Sequence, residues 1–357
     1  MNPTDLPDAA RALGRSLAGD AERVERHGVE RSTLDRLAAA GLHGLAGPPW
    51  AGGSDAAPMV YREVAECLSG ADGNTWLVWF QHHPVVKMLA ASANVGLAER
   101  YLPDLCSGAV QAGVAFSHLR NPSPSVVATV DRAGWRFSGT QPWCTGWGLI
   151  DVVLVGAATD DEVVFALIPA DDGPEMCSAG ELDLAAMAGT RTVALTLDGL
   201  AVAPDDVVLR MARADWLAAD HLRAANAQPS VFGIPLAALA QLGRTAPEVA
   251  DALASRLHET RQRSYRLADG DAADASVDPR LAATAEAVLL GVEITSALVT
   301  SLGGKAMVRS HPAQRWAREA MFHLVFAQTG ALRAATLAKV ATAPRFWPAE
   351  RRAFPGV

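Results

Sequence analysis

Residues 150–169, IDVVLVGAATDDEVVFALIP, decide the fold class. Two runs dense in β-branched residues, DVVLVGA (151–157) and EVVFALIP (162–169), are separated by Thr and Asp, which reads as strand, turn, strand. Similar runs lie on both sides: SVVATV (125–130), WRFSGT (135–140) and RTVALTLDGLAV (191–202), set apart by Gly, Asp and Pro. Residues 111–210 therefore read as a β-barrel domain. Towards the N-terminus the pattern is helical. From Leu6 to about Leu105, Ala- and Leu-rich segments recur with a period near 3.6, broken at Gly41 and at GPPWAGGSDAAP (47–58). Towards the C-terminus helices return near 213–243, 246–268, 280–302 and 312–340. They are divided by Gly243, by DGDAADASVDP (269–279) and by Gly303-Gly304. Four such helices make a bundle. The expectation is an α+β multidomain chain: a helical domain over 1–110, a β domain over 111–210 and a helical bundle over 211–357. No internal repeat or long linker divides it, so the three parts should pack as one body.

The bulk composition narrows the partners. With 357 residues, half of them apolar, the chain can bury several cores without disulfides or metals. Its 31 basic and 39 acidic residues leave a net charge of −8, which argues against nucleic acid and against a polybasic membrane anchor. Cys67, Cys106, Cys144 and Cys177 are widely spaced, with no C-x-x-C pair, and suggest neither zinc nor a disulfide framework. The N-terminus, MNPTDLPDAARALGRS, has no apolar h-region, and the run from Leu149 to Ala158 is too short to span a bilayer. A cytoplasmic protein is the expectation.

Several strings resemble the acyl-CoA dehydrogenase family in the same order and at matching positions: AFSHLRNPSP (115–124), WCTG (143–146), RTVALTLDGLAVAPDDVV (191–208), LGGKAM (302–307) and REAMFHLVFAQTG (318–330). The resemblance covers nearly the whole chain and implies a helix–β–helix flavoprotein. In the family the indole of a W-x-T string packs on the flavin ring and its threonine approaches the ring's polar edge, so the resemblance gives those roles to Trp143 and Thr145. Strand alternation puts the two on one face; without the resemblance Trp143 reads as a core aromatic of a sheet. Ser117 falls where the family has a hydroxyl, and His118 where it has a glutamate. Gly303, Gly304 and Thr329 complete the implied cofactor contacts. The implied cofactor is FAD, with FMN or a diffusible reduced flavin as alternatives.

The departures concern chemistry. The family's catalytic glutamate position, in a motif like Y-E-G-T, is Ala327 within FAQT (326–329). The alternative position used by some members falls near Arg223, which cannot accept a proton at neutral pH. Removing the α-proton of a thioester needs a positioned acceptor, so dehydrogenation by the usual route is not expected. The R-x-x-F-G string that grips the dinucleotide of a neighbouring subunit is deleted, and a family glutamine is replaced by Thr300. Arg256, Arg261 and Arg263 could substitute, or form a solvated helix face.

One helical segment remains, NTWLVWFQHHPVV (74–86), read as ending at Pro84 with Trp76, Trp79, Phe80 and His83 on one face and His82 beside them. In some flavin monooxygenases of this fold, histidines of the matching helix lie near the reactive edge of the flavin. His82, His83 and His118 are thus the candidate acid/base groups, against the alternative of buried, hydrogen-bonded imidazoles. Three functions remain open: a flavin oxidoreductase acting on an acyl thioester by a non-standard route, a two-component monooxygenase supplied by a flavin reductase, and a non-catalytic subunit of a heteromeric dehydrogenase. An electron-transfer partner and a homodimer or homotetramer, built through 283–302 and 320–340, are implied by the resemblance.

Overall fold

The structure, a computed structural model, describes residues 3–270 and 276–342. Part of the expected turn at 269–279 and the last residues of the expected bundle domain, 343–357, lie outside the described residues. Helices α1 (Leu6–His27), α2 (Arg31–Ala39), α3 (Pro58–Ala71), α4 (Gly73–Ala90) and α5 (Val95–Ser107) form the N-terminal part. In α1 the buried residues Leu6, Ala10, Gly14, Leu17, Ala21 and Val24 recur every three or four positions, so one stripe faces the core. Pro84 does not end α4 as its sequence suggested. The helix continues six residues beyond it to Ala90, because Trp76, Trp79, Val85, Val86 and Leu89 on either side are all buried and hold both halves in place.

The middle part contains β1 (Ala112–Ala115), β2 (Val126–Asp131), β3 (Gly134–Cys144), β4 (Val152–Ala158), β5 (Glu162–Pro169), β6 (Met176–Glu181), β7 (Val193–Val202) and β8 (Val207–Ala212). They join in the order β6-β7-β3-β2-β4-β5-β8, with β1 parallel to β4. The strands quoted first, β4 and β5, pair antiparallel and are buried almost throughout. Helices cover one of their faces and the rest of the sheet folds over the other, which explains continuous apolar runs in place of alternation. β7, covered on one face, alternates. Among the described residues β6 and β8 each pair on one side only, so the expected barrel is an open sheet folded over its own core.

The C-terminal part holds α6 (Arg213–Ala224), α7 (Ser230–Leu242), α8 (Pro247–Asp269), α9 (Val277–Leu302), α10 (Pro312–Phe322) and α11 (Gly330–Thr342). The first and last of the four expected helices are therefore each broken in two. Pro229 disfavours helix at Gln228 and stands as the N-cap of α7, and Thr329 caps a fresh start at Gly330. By length and composition Val277–Met307 would suffice to cross a membrane, at a mean hydropathy of 1.6. The sequence reading overlooked it because Glu286 and Glu293 interrupt the run. Here Ala287, Leu290, Ile294 and Leu298 are spent on the bundle core.

The parts meet where α3 ends and α4 begins. Arg315 Nη2 and Trp316 Nε1, both on α10, donate to the terminal α3 carbonyls of Ala71 and Gly70 at 3.2 Å each. Asp72 then caps α4, accepting from the Thr75 backbone at 3.0 Å and its hydroxyl at 2.6 Å. Arg315 lies 2.9 Å from Glu319 and 3.9 Å from Asp72, all three buried. Burial pushes the Glu319 carboxyl up to about 7, against the pull of Arg315. A carboxyl raised on folding stabilises the fold below its ordinary range, and that contribution is lost as pH rises through about 7. Glu319→Gln should flatten this slope in urea unfolding followed from about pH 5 to 8. Arg315→Met strands two buried carboxylates and should cost about 3–5 kcal/mol; unchanged stability would show that the node does not tie the parts together.

Candidate functional site

The site begins with a fault in the sheet. Pro142 has no N–H to give to β7, and the pairing slips there: Gln141 faces Leu195, whereas Cys144 faces Val193. The bulge turns the Trp143 indole outward, leaving it 51% exposed between buried Gln141 and Cys144. Gln141 Nε2 donates to Trp143 O at 2.8 Å and to Ser117 Oγ at 3.2 Å, joining the strand to the 3-10 turn Ser117–Arg120. Its Oε1 is buried without a partner among the described residues.

Thr145 lies beyond the end of β3 and is held from the other side. Its Oγ1 is 3.0 Å from Thr192 Oγ1, which is 2.8 Å from Thr190 Oγ1, which donates to Met187 O at 2.7 Å. The backbone N–H groups of Gly146 and Trp147 donate to Thr190 O and Arg191 O at 3.0 Å each. Met187 and Arg191 both take left-handed φ values, 59° and 51°. This sparsely populated geometry persists because neighbours fix it: Asn74 Oδ1 accepts from Gly189 N at 2.9 Å and Gly189 O accepts from Val29 N at 2.8 Å.

Gln141 thus links Ser117 to the Trp143 backbone, whereas Thr145 bonds to Thr192; sequence reasoning missed both Gln141 and Thr192. Gln141 was within reach, two residues before Trp143 on the same strand. The histidines fare differently. His82 Nε2 donates to Leu105 O at 3.0 Å and its Nδ1 accepts from Ala112 N at 3.1 Å. His118 Nε2 donates to Gly156 O at 2.9 Å, with Nδ1 facing Val126 N at 3.4 Å. Both rings are occupied by backbone groups, and burial lowers both pKa values, so neither is a free acid or base here. His83 is buried between Trp79 and Tyr61, at ring separations of 4.3 and 5.3 Å, with neither nitrogen partnered among the described residues. Burial, with His82 next in effect, holds it neutral. Gly303 and Gly304 follow α9, with open space where a Cβ would stand. Thr329 Oγ1 accepts from Leu332 N at 3.2 Å, capping α11.

Ala327 adopts a left-handed φ of 52° and lines a cavity of about 20 Å³, with Asn226, Gln228, Thr284, His323 and Phe326. That is room for about one water. Among the described residues no carboxylate lines it. His323 Nε2 and Asn226 Oδ1 are buried without partners, and burial pushes His323 down to about 3. His323, four residues before Ala327, went unnoticed in the sequence, because the two are joined by turns after the end of α10 rather than by a helix. Arg223, at the alternative base position, pairs with Asp220. Burial alone would raise the Asp220 carboxyl, but Arg120, bidentate at 2.7 and 3.0 Å, and Arg223 hold it low. A separate cleft of about 1070 Å³ lies between α1, residues 181–188, the end of α9 and α10. Glu22, Glu25, Glu181 and Asp183 there oppose Arg26, Arg309 and Arg318, so it offers a diphosphate no excess of positive charge.

The sequence model of the family described as acyl-CoA dehydrogenase, N-terminal domain, matches residues 6–109. A relative, the mitochondrial 2-methylacyl-CoA dehydrogenase of Solanum tuberosum, is 23% identical over 325 residues, covering 82% of this chain and 78% of its own. Among solved structures, butyryl-CoA dehydrogenase from Megasphaera elsdenii aligns with a TM-score of 0.80 at 17% identity, over 95% of this chain and 98% of that one. Dibenzothiophene monooxygenase from Paenibacillus sp. A11-2 aligns with a TM-score of 0.76 at 20% identity, over 95% of each.

The strained segment behind Thr145 can be tested directly. A Cβ at Gly189 would stand 2.1 Å from Val24 O. Gly189→Ala should therefore destabilise the chain by roughly 1–3 kcal/mol in urea unfolding; a neutral result would mean that the segment is not locked against α1.

Proposed function

Because this chain belongs to the acyl-CoA dehydrogenase superfamily, we propose that it is a flavin-dependent oxidoreductase that carries the flavin ring on Trp143, between Ser117 and Thr145, and works without a carboxylate base. The observation that carries this reading is the exposed Trp143 indole, in a segment where Gln141 joins Ser117 to the Trp143 carbonyl and keeps its own buried Oε1 unpartnered. These residues fit a planar, polar-edged ring. Bound flavin would supply the capacity to accept or donate electrons. Solved structures of the same fold include one described as FMN-bound and one as an FAD complex. FAD is the first candidate, with FMN or a diffusible flavin next, since the 1070 Å³ cleft gives a diphosphate little electrostatic help.

The substrate is a small molecule, either an acyl thioester or one handled without α-proton abstraction. The second option is favoured by the cavity beside Ala327, whose lining holds neutral Asn, Gln, Thr and His side chains where the family has a glutamate. In it His323 and Asn226 offer the unpaired polar atoms that would orient a substrate group. This arrangement supports the monooxygenase reading, in which a reductase supplies reduced flavin. An electron-transfer partner serves the dehydrogenase reading. Exposed Met307, Val308, Met321, Val325, Leu337 and Val340 in the C-terminal part support a homodimer or homotetramer assembled through it.

Titration with FAD and FMN tests the flavin site. Trp143→Ala should weaken binding by roughly 5- to 100-fold, the worth of one aromatic stacking contact; failure of the wild type to bind any flavin would leave only the heteromer. Dye reduction with butyryl- and octanoyl-CoA tests the chemistry. Loss of a positioned base costs roughly 10²–10⁴-fold, so the wild type should show little turnover and Ala327→Glu a gain if the pocket is otherwise that of a dehydrogenase. Brisk turnover by the unaltered chain would refute a base-free site.

A further inference from the structure

We propose that Thr145 meets its ligand only as a hydrogen-bond acceptor, so that the site selects reduced over oxidised flavin. The inference rests on the flavin reading above and concerns the direction of a row of hydroxyls. Met187 O can only accept, so the single hydrogen of Thr190 Oγ1, 2.7 Å away, is committed to it. Thr190 must then accept from Thr192 at 2.8 Å, and Thr192 from Thr145 at 3.0 Å. The hydrogen of Thr145 is used up at the start of the row. What it can present towards the ligand is a lone pair.

The row cannot easily turn round. All three threonines are buried, and reversal would forfeit the shortest bond of the row, that from Thr190 to Met187. The backbone beneath them is pinned by Asn74 and Val29 on Gly189, between the left-handed residues Met187 and Arg191. Thr190 and Thr192 are therefore positioning residues, and Thr145 is the one that touches the ligand. N3 of isoalloxazine carries hydrogen in both redox forms, so the contrast lies at N5, a bare acceptor when oxidised that two-electron reduction turns into an N–H donor. A fixed acceptor at the ring edge faces lone pair to lone pair with the first form and completes a hydrogen bond with the second.

The test is anaerobic titration of the full chain with oxidised and chemically reduced FMN and FAD, by calorimetry, for the wild type, Thr192→Val and Thr192→Ser. The wild type should bind the reduced form roughly 2- to 10-fold more tightly, the range of one net hydrogen bond. For a two-electron couple a tenfold ratio corresponds to a midpoint raised by ~30 mV, an independent readout. Thr192→Val releases the Thr145 hydroxyl to rotate and donate, so the preference should vanish or invert, whereas Thr192→Ser should restore it. Equal affinity for both forms in the wild type, or a preference untouched by Thr192→Val, overturns the inference and leaves the flavin reading intact. Binding of neither form overturns both.

Discussion

Arg315 is a buried cation on α10 that closes the end of α3, faces the cap of α4 through Asp72 and pairs with Glu319. Taking these charges out of water is costly, and the arrangement persists only because each answers another. The geometry leaves little slack. A Cβ on Gly73 would stand 2.8 Å from the Glu319 carboxyl, and one on Gly70 2.7 Å from Gly233 O on α7. From this point α4 runs under the sheet, and its second residue, Asn74, holds the Gly189 backbone. The position of Thr190 and Thr192 behind Thr145 is thus fixed by contacts that begin between the two helical parts.

The proposed flavin platform depends on two local irregularities that a regular sheet would forbid. The bulge at Pro142 and Trp143 exposes an indole that an unbroken pairing would have aimed differently. The left-handed residues Met187 and Arg191 bend the opposite segment so that its side-chain hydroxyls and carbonyls reach the end of β3. Strain of this kind survives where the surroundings over-determine it. Gly189, pressed on the carbonyl of Val24, is one such constraint.

The order of helix, sheet and helix was legible because each element type leaves its own period, whereas Trp143 and Thr145 were singled out by the family resemblance: the bulge and the end of β3 at Cys144 take them out of simple strand alternation. What sequence could not supply was partnership. His82 and His118 look like acid/base candidates until Leu105, Ala112, Gly156 and Val126 are seen to occupy their nitrogens. Pro84 looks like a helix end until its neighbours on both sides prove buried. The helices near 213–243 and 312–340 read as unbroken because a few residues of loop barely disturb an Ala-rich periodicity. Yet those two breaks bring Asn226 and Ala327 to one cavity.

That cavity bears on the chemistry through what its walls do in a low-dielectric setting. An ionised base there would need a partner or a large energetic cost. Asp220, on α6, is held ionised by Arg120 and Arg223 and is committed to them. His323, driven to about 3 by burial, stays neutral through the physiological range and offers hydrogen bonds without charge. A lining of this kind offers hydrogen bonds but gives little help to a developing carbanion. The same economy shows at the end of β3, where the hydroxyls behind Thr145 contribute direction rather than charge. Each of these two places offers hydrogen-bond polarity from residues held in packed surroundings.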